Sequence, residues 1–369
     1  MPNVALVHDW LTGMRGGEKC LEPAARRWPS ARLFTLLHKP GSVSPVIERL
    51  HITPSVLNRL PGWPRYYRYL LPFMPAAARW KIPADTDLVL SFSHCVAKAA
   101  RPPAGVPHVC YCFTPMRYAW HMRESYFRGG LKAKALDVVL KRLREWDRRT
   151  ASRVTHFVAI SKTIQARIRE CYGRESVVIH PPADTAFYTP AAVPREDFYL
   201  VVSALAPYKR FDLAIQACER LGRRLVVIGS GQEERKLRAT AGATTTFLGW
   251  QPDEVIRDHY RRCRAVLFPA EEDFGIVPVE AQACGTAVLA FGKGGATETI
   301  RDGETGVFFT EQTADAVVEA MERFERGRDA FDPAAARRNA EPFGLDRYER
   351  ELFGYVERVM SAGPAGTIR

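Results

Sequence analysis

Two series of short apolar runs, interleaved with helical patterns, set the strongest limit on how this chain can fold. The first series is Val4-Ala5-Leu6-Val7, Leu33 to Leu37, Leu88 to Ser91, Val109 to Phe113, Phe157 to Ile160 and Val177 to Ile179. The second is Tyr199 to Val202, Leu225 to Ile228, Thr246 to Leu248, Ala265 to Phe268, Ala287 to Ala290 and Val307 to Phe309. Runs this short and this uniformly apolar suit strands covered on both faces, as in a parallel sheet. Periodic segments such as Glu18 to Trp28, Lys132 to Arg149, Phe211 to Arg220, Glu254 to Cys263 and Thr313 to Arg326 supply the crossover helices. Two such alternating runs predict two doubly wound α/β domains, 1–190 and 195–344, joined by a Pro-rich linker from Pro181-Pro182 through Pro190 and Pro194. A last helix, Leu345 to Met360, follows, and the tail Ser361 to Arg369 is expected to be disordered.

At 369 residues the chain can fill two cores. No apolar run reaches the roughly twenty residues that a spanning helix needs, and residues 1 to 8 read as a strand rather than a basic secretory leader. Its eight cysteines are scattered, which fits a reducing compartment; Cys110 and Cys112 alternate on a strand as small core residues. The formal charge of +12 implies an acidic partner: a nucleotide diphosphate, an anionic membrane surface or a nucleic acid. No zinc-finger, RNA-recognition or helix-turn-helix pattern supports a nucleic acid. Asp85-Thr86-Asp87 has a D-x-D spacing but precedes a strand, so it reads as a loop rather than a metal site. Residues 59–81 mix Arg59, Arg65, Arg68, Arg79 and Lys81 with Trp63, Tyr66, Tyr67, Tyr69, Phe73 and Trp80, a composition that suits an anionic membrane interface.

Chemistry concentrates in Ala270-Glu271-Glu272-Asp273-Phe274-Gly275-Ile276-Val277-Pro278-Val279-Glu280. It follows the apolar run Ala265 to Phe268. Pro278 suits a first helical position and Gly285 a helix stop. The amides of Phe274, Gly275, Ile276 and Val277 would then be unpaired at a helix N-terminus, an anion site that suits a diphosphate. Gly275 permits close backbone approach. Glu280, expected in the first turn, and Glu272, in the loop, can each accept from hydroxyls. Carboxylates beside an anion site make sense when the ligand also carries hydroxyls, as a nucleotide sugar does. The alternative is a pair of surface acids near a helix start.

The stretch E-D-F-G-I-V-P-V-E-A-Q-A-C-G, from Glu272 to Gly285, resembles the E-x7-E signature of glycosyltransferase family 4, a retaining family with the GT-B fold of two Rossmann-like domains facing across a cleft. The resemblance extends to other loops. Ser203 to Arg210 is similar to the family's G-R-L-x-x-x-K, whose Arg and Lys bind the donor diphosphate; Lys209 matches the Lys, Ala204 stands where the Arg is usual, and Arg210 is the candidate to compensate. Gly16-Gly17 matches a paired glycine lining the cleft. Tyr111 to Tyr118 resembles Y-C-H-T-P-M-R-Y with Phe113 at the His position; Arg117 is a candidate phosphate or acceptor contact, and His121 lies nearby but off the matching position. Gly229-Ser230-Gly231, Trp250-Gln251 and Gly294-Gly295 with Glu298 match donor-side loops. The C-terminal helix (345–369 with its tail) would cross back to the first domain, as in the GT-B fold.

The resemblance implies a retaining, metal-independent hexosyltransferase with no cofactor beyond its nucleotide-sugar donor. The branch it is most similar to, bacterial mannosyltransferases of surface-polysaccharide assembly, points to mannose from GDP-mannose and a saccharide or polyprenyl-linked saccharide acceptor. Cytoplasmic placement, peripheral on the inner membrane face, would follow. Glu272, Lys209 and Arg210 are then the catalytic candidates. Phe274, Gly275, Ile276, Val277, Glu280, Gly229, Trp250 and Gln251 are the donor contacts, and Gly16, Gly17, Arg117 and His121 line the acceptor side. Another glucosyl- or galactosyltransferase of the same fold, or a silent nucleotide-sugar-binding protein, are the alternatives; Ala204 and Phe113 give the last its weight.

Overall fold

Among the described residues every strand pairing within the two sheets is parallel, and strand order reverses once in each sheet. The computed structural model describes residues 2–120 and 132–362. One unit comprises the chain up to Pro181 together with the C-terminal helix from Tyr348; the other is Pro182–Arg347.

The first unit's sheet has β1 (Val4–Leu11), β2 (Arg32–His38), β3 (His51–Pro54), β4 (Leu88–Ser93), β5 (His108–Cys112), β6 (His156–Ala159) and β7 (Ser176–Val178) in the order β3-β2-β1-β4-β5-β6-β7. β1, β4 and β5 are buried along their whole length, as their apolar runs require. β3 has no counterpart in the sequence reading. Its residues His51-Ile52-Thr53-Pro54 are half-buried or exposed at the sheet edge, and Pro54 occupies the edge position that a missing N–H allows. The C-terminal helix, Leu345–Ala362, packs on this unit: the Tyr348 hydroxyl donates to the Cys20 carbonyl at 2.9 Å, and Phe353 meets Trp28 edge-on at 5.3 Å. Ser361 therefore closes a helix instead of opening a disordered tail, whose residues 363–369 lie outside the described ones.

The second unit's sheet runs β10-β9-β8-β11-β12-β13, with β8 (Tyr199–Val202), β9 (Leu225–Ile228), β10 (Thr245–Gly249), β11 (Ala265–Phe268), β12 (Ala287–Phe291) and β13 (Gly306–Phe309). Its core packs the helices Phe211–Arg220 and Ala314–Gly327 on the sheet through Leu213, Ala217, Val317 and Met321. The Pro-rich segment read as a linker is largely a strap on this unit. Arg337 donates to the Thr185 and Tyr188 carbonyls at 2.8 Å each, Arg261 donates to Thr189 O at 2.7 Å, and Tyr188 is buried edge-on against Tyr260. A backbone without regular structure finds partners in arginines from distant helices, which composition does not reveal.

In sheets of this kind ligands bind beyond the carboxyl ends of strands where the order reverses. Those points are β1/β4 in the first unit and β8/β11 in the second. In Asp85-Thr86-Asp87 the Asp87 carboxylate accepts the Asn3 N–H at 2.8 Å and the Asp85 carbonyl accepts from the Asn3 side chain at 3.1 Å, anchoring the start of β1. All eight cysteines are buried and none is in a disulfide. Among the described residues no helix is long and apolar enough to cross a membrane.

Candidate functional site

The loops that leave β8 and β11 meet at the second unit's reversal point. After β8 the chain passes Ala204, which is exposed, and makes one 3₁₀ turn, Pro207–Lys209. Arg210 then adopts the left-handed conformation (φ 52°), unique among the described non-glycine residues, and caps the helix Phe211–Arg220. Such a backbone costs of order 1 kcal/mol and persists where the surroundings impose it. It sends Lys209 and Arg210 different ways. Lys209 is buried, and its ammonium is hydrogen-bonded to Glu272 Oε1 and lies 5.3 Å from the Tyr208 ring centre. Arg210 instead forks onto its neighbour Asp212, at 3.2 Å from Nε and 3.1 Å from Nη2.

Glu272 is fixed by its backbone. It forms a parallel bridge to Gly294, and its carbonyl accepts the Gly295 N–H at 2.8 Å. A Cβ at Gly295 would lie 2.2 Å from Phe274 Cα, and one at Gly294 2.3 Å from Glu272 O, so the paired glycines let the two loops touch. Phe274 is buried against Phe343. Gly275 (φ 82°) caps the helix Ile276–Ala283 without a side-chain bond, and a Cβ there would press on the Phe268 ring at 3.1 Å. The N–H groups of Gly275, Ile276 and Val277 find no acceptor among the described residues. Pro278 is the third helical residue rather than the first; its missing N–H is equally harmless there, because early helical amides have no intrahelical acceptor. Glu280 accordingly falls in the second turn. It is buried and accepts from the Tyr260 hydroxyl at 3.3 Å. Burial first, then the Glu280 charge, push the Tyr260 phenol well up, so Tyr260 stays a donor. No pattern around Tyr260 marks it in the sequence, because it reads as one more apolar residue on its helix.

The remaining residues expected on the donor side cluster at the same sheet end. Gly229 (φ 134°) follows β9, and a Cβ there would stand 1.9 Å from the Ser203 carbonyl; Leu205 N–H donates to Ser230 O at 3.0 Å. The Gly229 N–H reaches Gly249 O at 2.8 Å, tying in the β10 loop. There Gln251 donates to Leu248 O at 2.8 Å while Trp250 is 74% exposed. Glu298 is half-buried in the short helix after Gly295. The arrangement offers one ammonium, three helix-start amides and two carboxylates, which together can hold a diphosphate and hydroxyls on either side of it.

In the first unit, Gly16 and Gly17 open the helix Gly16–Arg27. Arg117 is half-buried at the start of a short helix, Arg117–Trp120, and Phe113 lies just beyond β5. His121 lies outside the described residues. The sequence reading missed a buried carboxylate. Asp9, in β1, accepts the backbone N–H groups of His94, Cys95, Val96 and Ala97 at 2.6–2.9 Å, and His94 Nδ1 at 3.0 Å. Burial alone would raise its pKa, but His94 and these donors hold the carboxyl well below the usual range. The signal was available: His8-Asp9 is a polar pair inside an otherwise apolar strand.

Two family models match the chain: Glycosyltransferase Family 4 over residues 16–187 and Glycosyl transferases group 1 over residues 185–341. A D-inositol 3-phosphate glycosyltransferase of Mycobacteroides abscessus is 35% identical, the match covering 43% of this chain and 42% of the relative. Its counterpart from Rhodococcus jostii is 34% identical over 50% of this chain and 47% of the relative. The chain thus spans less than half the length of these two curated relatives. Among solved structures, Anabaena Alr3699/HepE in complex with UDP-glucose superposes with a TM-score of 0.72 at 18% identity, covering 96% of this chain and all of that one. A likeness at this identity establishes the fold alone. The chain carries a family 4 and a group 1 glycosyltransferase domain on the GT-B fold.

Proposed function

We propose that this chain transfers a hexose from a nucleoside-diphosphate sugar to a hydroxyl-bearing acceptor, with retention at the anomeric carbon. One observation carries the reading: Lys209 is paired with Glu272 beside a helix start whose amides of Gly275, Ile276 and Val277 are uncommitted, with buried Glu280 behind them. In this reading the amides and Lys209 hold the diphosphate and stabilise the charge that develops as it leaves. Glu280, held by Tyr260, takes the ribose hydroxyls. Glu272 keeps acceptor capacity beyond its bond to Lys209 and orients the transferred sugar. Gly229, Trp250 and Gln251 border the nucleotide, Trp250 as an exposed indole suited to stacking. The Asp212 fork makes Arg210 a weaker second cation than the sequence pattern implies, so Lys209 carries more of the charge stabilisation. Lys209 and the amides supply that stabilisation without calling on a metal.

Sequence resemblance favours mannose from GDP-mannose and a saccharide or polyprenyl-linked saccharide acceptor. A second reading takes a UDP-sugar and a phosphorylated polyol, on the strength of the relatives named for D-inositol 3-phosphate and the superposing structure that holds UDP-glucose. An anionic membrane surface is the proposed further partner. Tyr69 is 84% and Phe73 62% exposed among the exposed basic residues Arg59, Arg65, Arg79 and Lys81. A thermal-shift screen against GDP-mannose, UDP-glucose and UDP-galactose, followed by product stereochemistry, tests the reading. Stabilisation by one sugar nucleotide and a retained anomeric configuration are expected; no shift with any of them refutes it.

A further inference from the structure

At its own reversal point the first unit holds a polar cluster to which the reading above gives no task. His8 is buried in β1, 1% exposed. Its Nδ1 lies 2.9 Å from the Trp10 carbonyl oxygen. A carbonyl can only accept, so Nδ1 carries the proton and Nε2 presents a lone pair. No described group donates to Nε2. A Cβ added at Gly17 would stand 3.2 Å from Nε2 and 3.5 Å from Phe113 Cε2. Nε2 therefore lies against the first turn of the twelve-residue helix Gly16–Arg27. The half-buried Phe113 ring lies edge-on to the imidazole, with ring centres 6.5 Å apart. An unmet buried acceptor costs about 1–3 kcal/mol, so Nε2 is a place where a water or a ligand hydroxyl gains a bond that the chain does not supply.

Charge decides what that partner is. A helix start by itself suits an anion. Here, however, Glu18 is buried in the first turn and accepts the Arg15 N–H at 3.1 Å. Buried Asp9 lies on the other side, paired to His94. Glu18, Asp9 and His94 are the titratable groups facing His8, and burial keeps its imidazole on the neutral side. Two carboxylates and a lone pair oppose a phosphate oxygen. A hydroxyl meets both demands, because it can donate to Nε2 and accept from a helix amide at once.

We propose that His8 and the first turn of the Gly16–Arg27 helix form a hydroxyl subsite for a sugar ring, with the Phe113 ring as its apolar wall. The inference rests on the glycosyl-transfer reading, and the ring can be that of the donor or of the acceptor. Titration calorimetry of the wild type and His8→Phe with GDP, UDP, GDP-mannose, UDP-glucose and a methyl hexoside separates these sources. Nucleoside-diphosphate affinity should stay within about twofold, while affinity for a sugar-bearing probe falls about tenfold, the loss of one neutral hydrogen bond with its desolvation. The loss falls on the nucleotide sugar if the ring is the donor's and on the methyl hexoside if it is the acceptor's. His8→Gln, whose amide oxygen accepts, should recover part of the affinity, which a merely structural role would not produce. Should His8→Phe fail to fold, Gly17→Ala places a methyl group against Nε2 and should give the same selective loss. Unchanged sugar affinity in folded variants, or a loss on GDP or UDP themselves, overturns the subsite alone. A wild type that binds none of the nucleotide sugars overturns the glycosyl-transfer reading and the subsite with it.

Discussion

Replacing Lys209 by Met keeps the aliphatic stem and deletes the ammonium, so it isolates the charge. Two effects follow, with separate magnitudes. The first is on turnover. Lys209 is the buried cation bonded to Glu272, and Arg210 is engaged by Asp212. Removing one preorganised donor from a site of developing charge costs about 2.7–4 kcal/mol, or 10²–10³-fold in kcat. Because Arg210 is held elsewhere, no compensation is expected and the loss should lie toward the upper end. The second effect is on stability. The Glu272 side chain is 21% exposed and can rehydrate once its partner is gone. The penalty should then be about 1–2 kcal/mol, below the 3–5 kcal/mol seen when a fully buried pair is broken. For a chain of this size, with an unfolding entropy of about 2.1 cal/mol/K per residue, that lowers Tm by about 1–3 °C. Initial rates with the donor identified by thermal shift, plus calorimetric Tm values for Lys209→Met, Glu272→Gln and the double variant, check both. In the double variant the stability losses should fall short of additivity by about 1 kcal/mol, since the two groups share one interaction. A folded Lys209→Met protein with kcat within about threefold of wild type would refute the assignment of diphosphate stabilisation to this residue.

Three further outcomes follow from the geometry. Gly295→Ala forces a methyl group to 2.2 Å from Phe274 Cα and should displace the Glu272 loop; a drop in Tm of several degrees with loss of donor affinity is expected, and a neutral result counts against the close packing. Asp9 has its pKa depressed by folding, so its contribution is fully present above the unfolded value near 4 and disappears as pH falls through the lower folded value. Asp9→Asn should therefore flatten the acid side of a stability-against-pH curve below about pH 5, and an unaltered curve would count against the buried carboxylate. Tyr69→Ala with Phe73→Ala should reduce flotation with anionic vesicles while leaving rates on a soluble acceptor unchanged; equal flotation of variant and wild type removes the membrane surface as a partner.

The apolar runs are legible as strands because burial on both faces of the central ones leaves nothing to alternate, and each run is a strand in the structure. What escaped had no such signature. β3 lies at a sheet edge, where burial imposes no pattern. The Pro-rich strap is held by Arg257, Arg261 and Arg337 mainly through backbone carbonyls, which leave no trace in residue type. In the site, the motif located Glu272, Lys209 and Glu280 but not their mutual contacts. That Lys209 binds Glu272 while Arg210 turns to Asp212 depends on the left-handed backbone at Arg210, a residue type that does not advertise it.

The two units present the same device, a glycine-marked helix start at a strand-order reversal, with opposite electrostatics. At Gly275 the amides stand beside a loop that brings in an ammonium, Lys209, so negative charge is favoured there. At Gly16 the first turn carries the buried carboxylate of Glu18, Asp9 is buried on β1, and His8 Nε2 has no donor among the described residues. A helix dipole contributes about half an elementary charge at either start, less than one full carboxylate, so the side chains rather than the helix decide the ligand. The same helix-start geometry can therefore serve an anion in one unit and, on the proposed reading, a neutral hydroxyl in the other.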